Sequence, residues 1–237
     1  MSQLYFFRHA QASYLSDNYD QLSPLGEQQA AQLGKHLVSK KVNFDRVFVG
    51  PLQRQKHSFE IVAASYAQQG LAFPKAISLE GLREHVGPKA MRLALPDLLE
   101  KHLQIQTWYA EIKNDPQLKS RNNLLAFQYF MKEWVVGKIK VDEVQSWATF
   151  RSVVSDSLKE ILAQTGKGET IAAFTSGGTI AAITAEALGV SDETRVAAMN
   201  FSIRNTSFSR FLFSKNQFNL MSFNELPHLA EEMITFV

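Results

Sequence analysis

Polar residues of the kinds that bind phosphate follow three predicted strands of this chain. Arg8 and His9 end an apolar, aromatic run at residues 3–7, and Arg54 lies one turn into the helix predicted after the second strand. The turn at 175–178, Thr-Ser-Gly-Gly, follows a buried strand near the end of the chain. Arginine offers a fork of N–H donors to phosphoryl oxygens, and a helix N-terminus adds N–H groups and a positive dipole end. Together these segments predict a phosphate site.

Two further groups supply what a phosphoryl-transfer reaction needs. His9 can attack phosphorus and hold the phosphoryl group covalently. Glu84, which follows the third predicted strand, can protonate the leaving oxygen. Because ligands of open α/β sheets bind at the carboxyl ends of the strands, we expect these side chains at one edge of a sheet. His9 and Glu84 are thus the candidate catalytic residues. The predicted phosphate-binding residues are Arg8, Arg54, Ser176 and Gly177.

The elements that must position these groups alternate between strand and helix at both ends of the chain. Ser23-Pro24, followed by Glu27, predicts a helix start, because serine caps free N–H groups and proline suits the first turn. Further helices are expected over 51–69 and 179–188. The alternation predicts an α/β protein, a three-layer α/β/α sandwich with a largely parallel sheet. The predicted strands are 3–7, 44–49, 77–79 and 170–175, with a late hairpin at 207–213 and 217–223.

The middle of the chain has a different pattern. From about residue 88 to 146 the spacing of apolar residues is helical, without a convincing buried strand. We therefore predict a helical cap inserted into a single domain that spans 1–237. The aromatic residues of this region either pack the cap against the core or line a substrate pocket.

Composition excludes several classes of function. Lys and Arg total 25 and Asp and Glu 23, so the net charge of +2 gives no electrostatic case for a nucleic acid or an anionic membrane as partner. The chain has no cysteine, which excludes disulfides, thiolate zinc sites and a cysteine nucleophile. The remaining histidines show no metal-ligand spacing, so neither a metal nor a cofactor is predicted. No signal peptide or bilayer-length apolar run is found, and the expected location is the cytoplasm.

Five segments of the chain resemble, in the same order, the motifs of the histidine phosphatase superfamily, which is also called phosphoglycerate mutase-like. The resemblance frames nearly the whole chain and leaves only the predicted cap without a match. It implies that His9 becomes a phosphohistidine, that Arg8 and Arg54 clamp the phosphoryl oxygens, and that Glu84 is the general acid. The segments are Y-F-F-R-H-A-Q-A-S at 5–13, L-S-P-L-G-E-Q-Q-A at 22–30, P-L-Q-R at 51–54, L-R-E-H-V-G at 82–87 and F-T-S-G-G-T-I at 174–180.

Two positions depart from the family pattern. Ala10 replaces the usual glycine after His9, which matters if the backbone there needs positive φ. Ser176 stands where the family usually has a second histidine that binds the phosphoryl group. A serine hydroxyl brings no charge, and losing one such donor typically costs about 10²–10³ in rate. The substitution indicates either a weakened or non-catalytic phosphate binder or an active bacterial-type branch. In an active protein, His85 or His57 is a candidate for the missing cation, although each is otherwise an ordinary polar residue.

The resulting expectation is a phosphatase that hydrolyses phosphomonoesters through a phosphohistidine. The expected partner is a phosphorylated small molecule or a phosphoprotein. A mutase is disfavoured, because it must retain and return the phosphoryl group in a pocket that is short of one cation. The alternative is a non-catalytic anion-binding or regulatory protein on the same scaffold. The substrate and the oligomeric state are left open by the sequence.

Overall fold

The structure, a computed structural model, describes residues 1–13 and 20–236 and is built around one sheet of six strands. In chain order the strands are β1 (Ser2–Arg8), β2 (Arg46–Val49), β3 (Ala76–Ser78), β4 (Thr170–Thr175), β5 (Phe208–Ser214) and β6 (Gln217–Glu225). Their order in space is β3-β2-β4-β1-β5-β6. The first four strands in that order are parallel, and β5 and β6 form an antiparallel hairpin at one edge. The predicted sandwich with a largely parallel sheet is confirmed.

Helices cover both faces of this sheet. Strand β1 shows why, because Tyr5 and Phe7 pack with one apolar cluster and Leu4 and Phe6 with another, so the strand is buried on both sides. Within residues 1–13 and 20–236, no helix is both long and apolar enough to cross a bilayer. The helices are α1 (Pro24–Ser39), α2 (Gln53–Ala67), α3 (Gly87–Lys101), α4 (Leu103–Asn114), α5 (Lys119–Trp134), α6 (Trp147–Gln164), α7 (Gly177–Leu188) and α8 (Glu193–Asn200).

Local sequence signals set the start of α1 as predicted. The hydroxyl of Ser23 accepts a hydrogen bond from the Gly26 N–H at 3.0 Å, Pro24 occupies the first turn and Glu27 follows it. A serine cap and an acidic first turn both stabilise a helix N-terminus. Helix α1 packs beside α2 on one face of the sheet, where Leu33 and Val62 join the same apolar cluster.

Helix α7 begins two residues earlier than predicted, at Gly177 rather than Thr179. Two glycines are poor helix formers, which is why the sequence alone favours a later start. The helix accepts them because a Cβ at Gly177 would lie 2.4 Å from Asn200 Oδ1, and one at Gly178 would lie 2.2 Å from Glu84 Oε1. The glycines therefore allow two polar side chains to approach the first turn of α7.

Helices α3, α4 and α5 occupy the region that the sequence predicts to be a helical insertion, and residues 135–146 after α5 contain no helix or strand. Phe130 and Trp134 of α5 are buried and stack on each other, with ring centroids 5.8 Å apart. Both belong to the apolar cluster that includes Ile180 of α7. These aromatic side chains pack the insertion onto the rest of the chain. Helix α8, which the sequence does not predict, lies against α5 and α7.

Candidate active site

The carboxyl ends of β1, β2 and β4 bring the predicted polar residues to one edge of the sheet. Arg8 is paired in register with Thr175, and Val49 is paired with Phe174, so the segments that follow start side by side. The backbone N–H of His9 donates to the carbonyl of Thr175 at 2.9 Å. These residues thus meet at the edge of the sheet that was predicted for the site.

His9 is held in a single tautomer. Its Nδ1 lies 2.8 Å from the carbonyl oxygen of Ala10, which can only accept, so Nδ1 carries the proton. The unprotonated Nε2 accepts a hydrogen bond from Arg54 Nε–H at 3.1 Å. The backbone at Ala10 does not have a positive φ. Among the described residues other than glycine, a positive φ occurs at Lys41, Thr206 and Asn224. The departure from glycine at position 10 is therefore compatible with the backbone.

The surroundings of His9 keep its imidazole neutral. Only 4% of the residue is exposed. Burial, followed by the positive charges of Arg54 and Arg8, lowers the pKa of His9 well below its usual value. A neutral ring with a free lone pair on Nε2 is the form that a nucleophile requires.

Residues from the C-terminal quarter of the chain fix the backbone of His9. The carbonyl of His9 accepts from Asn205 Nδ2 at 3.2 Å and from the Thr206 N–H at 3.3 Å. Thr206 adopts a left-handed φ of 56°, a conformation uncommon for threonine. Its hydroxyl lies 3.0 Å from Nε2 of His228, whose pKa is lowered by burial to about 4. These contacts link the nucleophile to the tail of the chain.

Both predicted arginines lie near enough to His9 for their charges to lower its pKa. The Nη1 of Arg8 donates to the carbonyl of Ile203. The Nη1 of Arg54 donates to Asp20 Oδ1 at 2.7 Å, and the Arg54 side chain is 9% exposed. Asp20 also accepts from the Gln53 N–H at 2.8 Å, at the first turn of α2. The carboxylate of Asp20 thus occupies one donor of Arg54 and the start of α2, both of which favour anions.

Glu84 faces the first turn of α7. Its Oε2 accepts from the Gly178 N–H at 3.1 Å, and its Oε1 accepts from the His85 N–H at 2.9 Å. Gly177, the first residue of α7, lies beside Arg8, since a Cβ there would be 3.6 Å from Arg8 Nε. The general-acid candidate, the glycine turn and an arginine therefore meet at the N-terminus of α7.

Ser176 lies at the start of α7, but its hydroxyl is bound within the protein. The residue is fully buried, and its Oγ accepts from Gln55 Nε2 at 2.8 Å. Gln55 also donates to the carbonyl of Leu82 at 2.9 Å, and its Oε1 accepts from the Leu52 N–H at 3.1 Å. Ser176 thus ties α7 to α2 through a buried amide, a contact for which the sequence gives no signal.

The two histidines that the sequence offers as substitutes occupy different places. His57 is half-buried on α2, and among the described residues it makes no hydrogen bond to His9, Glu84 or Ser176. His85 is buried, with Nε2 lying 3.6 Å from Glu84 Oε1 and 3.1 Å from the side-chain amide of Asn200. His85 therefore lies beside the general-acid candidate, and His57 shows no such contact.

A cavity of about 330 Å³ opens beside Glu84. No group of three or more His, Asp or Glu side chains suited to a metal ion is found in the described part of the chain. The site as described is thus formed by guanidinium groups, imidazoles, a carboxyl group and backbone N–H donors. The residues that line the cavity are Glu80, Gly81, Arg83, Glu84, Gln145, Phe150 and Val153.

Several solved structures share this architecture. A phosphoserine phosphatase from Entamoeba histolytica, in complex with 3-phosphoglyceric acid, is 19% identical, covers 97% of this chain and 100% of its own, and has a TM-score of 0.61. YhfR of Bacillus stearothermophilus is 17% identical, covers 96% and 99%, and has a TM-score of 0.66. A putative alpha-ribazole-5'-P phosphatase from Escherichia coli is 18% identical, covers 95% and 98%, and has a TM-score of 0.63. At these identities the likeness establishes the fold.

The sequence itself shows the family. No curated protein matches the chain. A family model for the histidine phosphatase superfamily (branch 1) matches residues 4–128 and 117–226, which covers the described parts of β1, α1, α2, α7 and the late hairpin. Because that match extends over most of the 237 residues, the chain belongs to the histidine phosphatase superfamily (branch 1).

Proposed function

We propose that this protein is a phosphatase that hydrolyses phosphomonoesters through a phosphohistidine on His9. The observation that carries the proposal is the state of the His9 ring. Its Nδ1–H is bound to the Ala10 carbonyl, its Nε2 lone pair faces Arg54, and its pKa is held low by burial and two guanidinium groups. A nucleophile must be neutral, oriented and next to a cation that attracts the substrate, and His9 meets all three conditions.

In the first step the substrate phosphoryl group takes over the hydrogen bond that Arg54 Nε donates to His9. The released lone pair of Nε2 then forms the N–P bond. The P–O bond breaks with its electron pair on the leaving oxygen, and Glu84 transfers a proton to that oxygen. Arg8, Arg54 and the N–H groups at the start of α7 stabilise the charge on the phosphoryl oxygens.

The second step returns the enzyme to its starting state. Water attacks the phosphohistidine, Glu84 as a carboxylate removes a proton from that water, and the N–P bond breaks with its electrons returning to Nε2. The Nδ1–H remains on the Ala10 carbonyl through both steps and keeps the ring in place. The proposed substrate is a phosphomonoester of a small molecule or of a protein, and several structural neighbours are phosphatases by name.

The test is turnover of p-nitrophenyl phosphate by the full chain, its His9→Ala variant and the control His36→Ala. His36 lies on α1, and its ring contacts Phe208 and His228 rather than the phosphate-binding groups. We expect His9→Ala to reduce kcat by at least about 10³-fold, and His36→Ala to retain activity. An acid-labile phosphoryl label should also form in wild type and be absent in His9→Ala.

Equal turnover by wild type and His9→Ala would contradict the proposal. Absence of turnover in wild type, together with tight phosphate binding, would instead favour the non-catalytic anion-binding protein. In the proposed mechanism the phosphoryl oxygens are bound by the arginines and the backbone N–H groups, because the hydroxyl of Ser176 already accepts a hydrogen bond from Gln55.

A further inference from the structure

His85 is enclosed by aromatic rings of α5 and α6. Its ring centroid lies 5.6 Å from that of Trp147, 5.7 Å from Phe150 and 6.4 Å from Trp134. The side chain is 3% exposed. Since close-packed neighbours restrict rotation of a ring, the imidazole is fixed in orientation.

The protonation of this ring is also fixed. The Gly87 N–H donates to His85 Nδ1 at 3.0 Å, so Nδ1 has no proton, and a neutral ring must carry its single proton on Nε2. The side-chain amide of Asn200 lies beside this nitrogen, with Nδ2 3.1 Å from Nε2. When Nε2 carries the proton, the oxygen of the same amide has to take that place as the acceptor. Burial lowers the pKa of His85, although the nearby Glu84 carboxylate opposes that shift, so the ring is neutral at pH 7.

The two carboxyl oxygens of Glu84 consequently have different surroundings. Oε1 accepts the backbone N–H of His85 at 2.9 Å and has the Nε2–H dipole of the same residue 3.6 Å away. Oε2 accepts the Gly178 N–H alone, at 3.1 Å. A proton on Oε1 would face two donor groups of His85, whereas a proton on Oε2 would share its oxygen with one donor, the Gly178 N–H. The acid proton therefore belongs on Oε2.

We infer that His85 is a positioning residue that assigns the acid proton of Glu84 to Oε2. This inference rests on the proposed function of Glu84 as the general acid. During transfer the Oε2–H bond breaks, the proton moves to the leaving oxygen, and Oε2 keeps the electron pair. The negative charge that forms on the carboxylate is then stabilised by the two donors of His85 and by the Gly178 N–H. His85 thus supports proton donation by Glu84 without contacting the phosphoryl group or carrying a positive charge.

A positioning role of this kind depends on the leaving group. A p-nitrophenolate leaves readily without a proton, whereas an alkoxide requires one. Loss of the imidazole should therefore slow alkyl phosphates far more than p-nitrophenyl phosphate. A structural defect, or a direct contact between His85 and the phosphoryl group, would slow both substrates alike.

The experiment compares kcat on p-nitrophenyl phosphate and on an alkyl phosphate for His85→Leu, His85→Gln and the control His102→Leu. His102 lies in the insertion and contacts Tyr129, away from Glu84. We expect His85→Leu to lower kcat on the alkyl phosphate about 10-fold and on the aryl phosphate less than about 3-fold. His85→Gln, which keeps an N–H donor, should recover part of the loss. Thermal melting of each variant reports whether the fold is intact.

A double variant separates positioning from direct contact. In a Glu84→Gln background, which has no acid proton, adding His85→Leu should cause no further loss. A further loss there, or equal losses on both substrates, would overturn the role assigned to His85 and leave the phosphatase proposal intact. Absence of turnover in wild type on both substrates would overturn both.

Discussion

The two sides of the candidate site hold their groups in different ways. The arginine side consists of Arg8, His9 and Arg54, and there the nucleophile lies between a backbone carbonyl and a guanidinium group. The α7 side consists of Ser176, Gly177 and Gly178 with the facing Glu84, and there the donors toward Glu84 are backbone N–H groups and a neutral imidazole. The positive side-chain charges thus come from Arg8 and Arg54 of the arginine side, although Arg8 also borders the α7 side at Gly177.

Under the proposed function, this difference indicates how a site with serine at position 176 would bind a phosphoryl group. A phosphoryl group carries most of its charge on oxygens that two guanidinium groups can bind in pairs. The α7 side then has to supply N–H donors and a proton, tasks that a helix N-terminus and a carboxyl group perform without a further cation. We therefore predict that charge changes on the arginine side will lower activity more than charge changes on the α7 side.

The largest effect is expected from Arg54→Lys. Lysine keeps the charge but loses the fork that contacts both His9 Nε2 and Asp20. We expect kcat/KM to fall by about 10²–10³-fold, measured by steady-state kinetics on an aryl phosphate. The control is Arg46→Lys, since Arg46 begins β2 at the opposite edge and pairs with Glu169. If the control lost as much activity as Arg54→Lys, the loss would not be specific to the arginine side of the site.

A histidine introduced on the α7 side should not restore a cation there. Ser176 is fully buried against Gln55, so Ser176→His must displace packed neighbours and should destabilise the fold by about 1–3 kcal/mol. Activity should stay flat or fall. The matched variant Ser176→Ala loses only the hydrogen bond from Gln55 and should cost about 1 kcal/mol, measured by urea unfolding. A gain in kcat of about 10²-fold in Ser176→His would show that the α7 side does need a further cation, and would indicate a degraded site.

The buried histidines of the two sides should titrate differently. The pKa of His9 is lowered by burial and two guanidinium groups, whereas Glu84 partly offsets the lowering of the His85 pKa. NMR titration of the imidazole signals, assigned with His9→Gln and His85→Gln, should therefore show His9 becoming protonated at a lower pH than His85. The reverse order would show that the arginine side is not the more positive one.

The same shifts predict how stability depends on pH. An imidazole with a lowered pKa binds protons better in the unfolded chain, where its value is about 6.5. The stability gained from burying it neutral is complete above about pH 6.5 and declines as the pH falls from there toward the folded pKa. Denaturant unfolding at several pH values should show this decline in wild type and a shallower one in His85→Gln. A free energy of unfolding that is constant between pH 8 and pH 5 would contradict it.

The smallest effect is expected from Asp20→Asn. The Asp20 carboxylate occupies Arg54 Nη1 at 2.7 Å, and the Asp20 side chain is 34% exposed. Partly exposed ion pairs contribute up to about 1 kcal/mol, so removal of the negative charge should tighten inhibition by phosphate about 2- to 5-fold. Asparagine keeps an acceptor for the Gln53 N–H. Weaker inhibition in the variant would show that Asp20 orients Arg54 and does not compete with the anion.

Patterns local in the sequence predicted the elements that carry the site. The apolar run before Arg8 and His9 became β1, the Ser23-Pro24 start became the capped start of α1, and residues 170–175 became β4. Such patterns are readable because strand burial and helix capping depend on residues a few positions apart. The helix start at Gly177 was misplaced, because the reason for its glycines is the approach of Glu84 and Asn200.

By itself, the sequence determined which chemical groups reach the carboxyl edge of the sheet and the family to which they belong. Only the tertiary structure decided which hydrogen-bond partners those groups have. Ser176 meets Gln55 across 121 positions of chain, Asn200 meets His85 across 115, and Asn205 reaches the carbonyl of His9 across 196. The tautomers of His9 and His85 are set close by in the chain, by Ala10 and Gly87. The long-range contacts hold Ser176, His85 and the backbone of His9 in place. They follow from how the elements pack, which no local pattern of residues encodes.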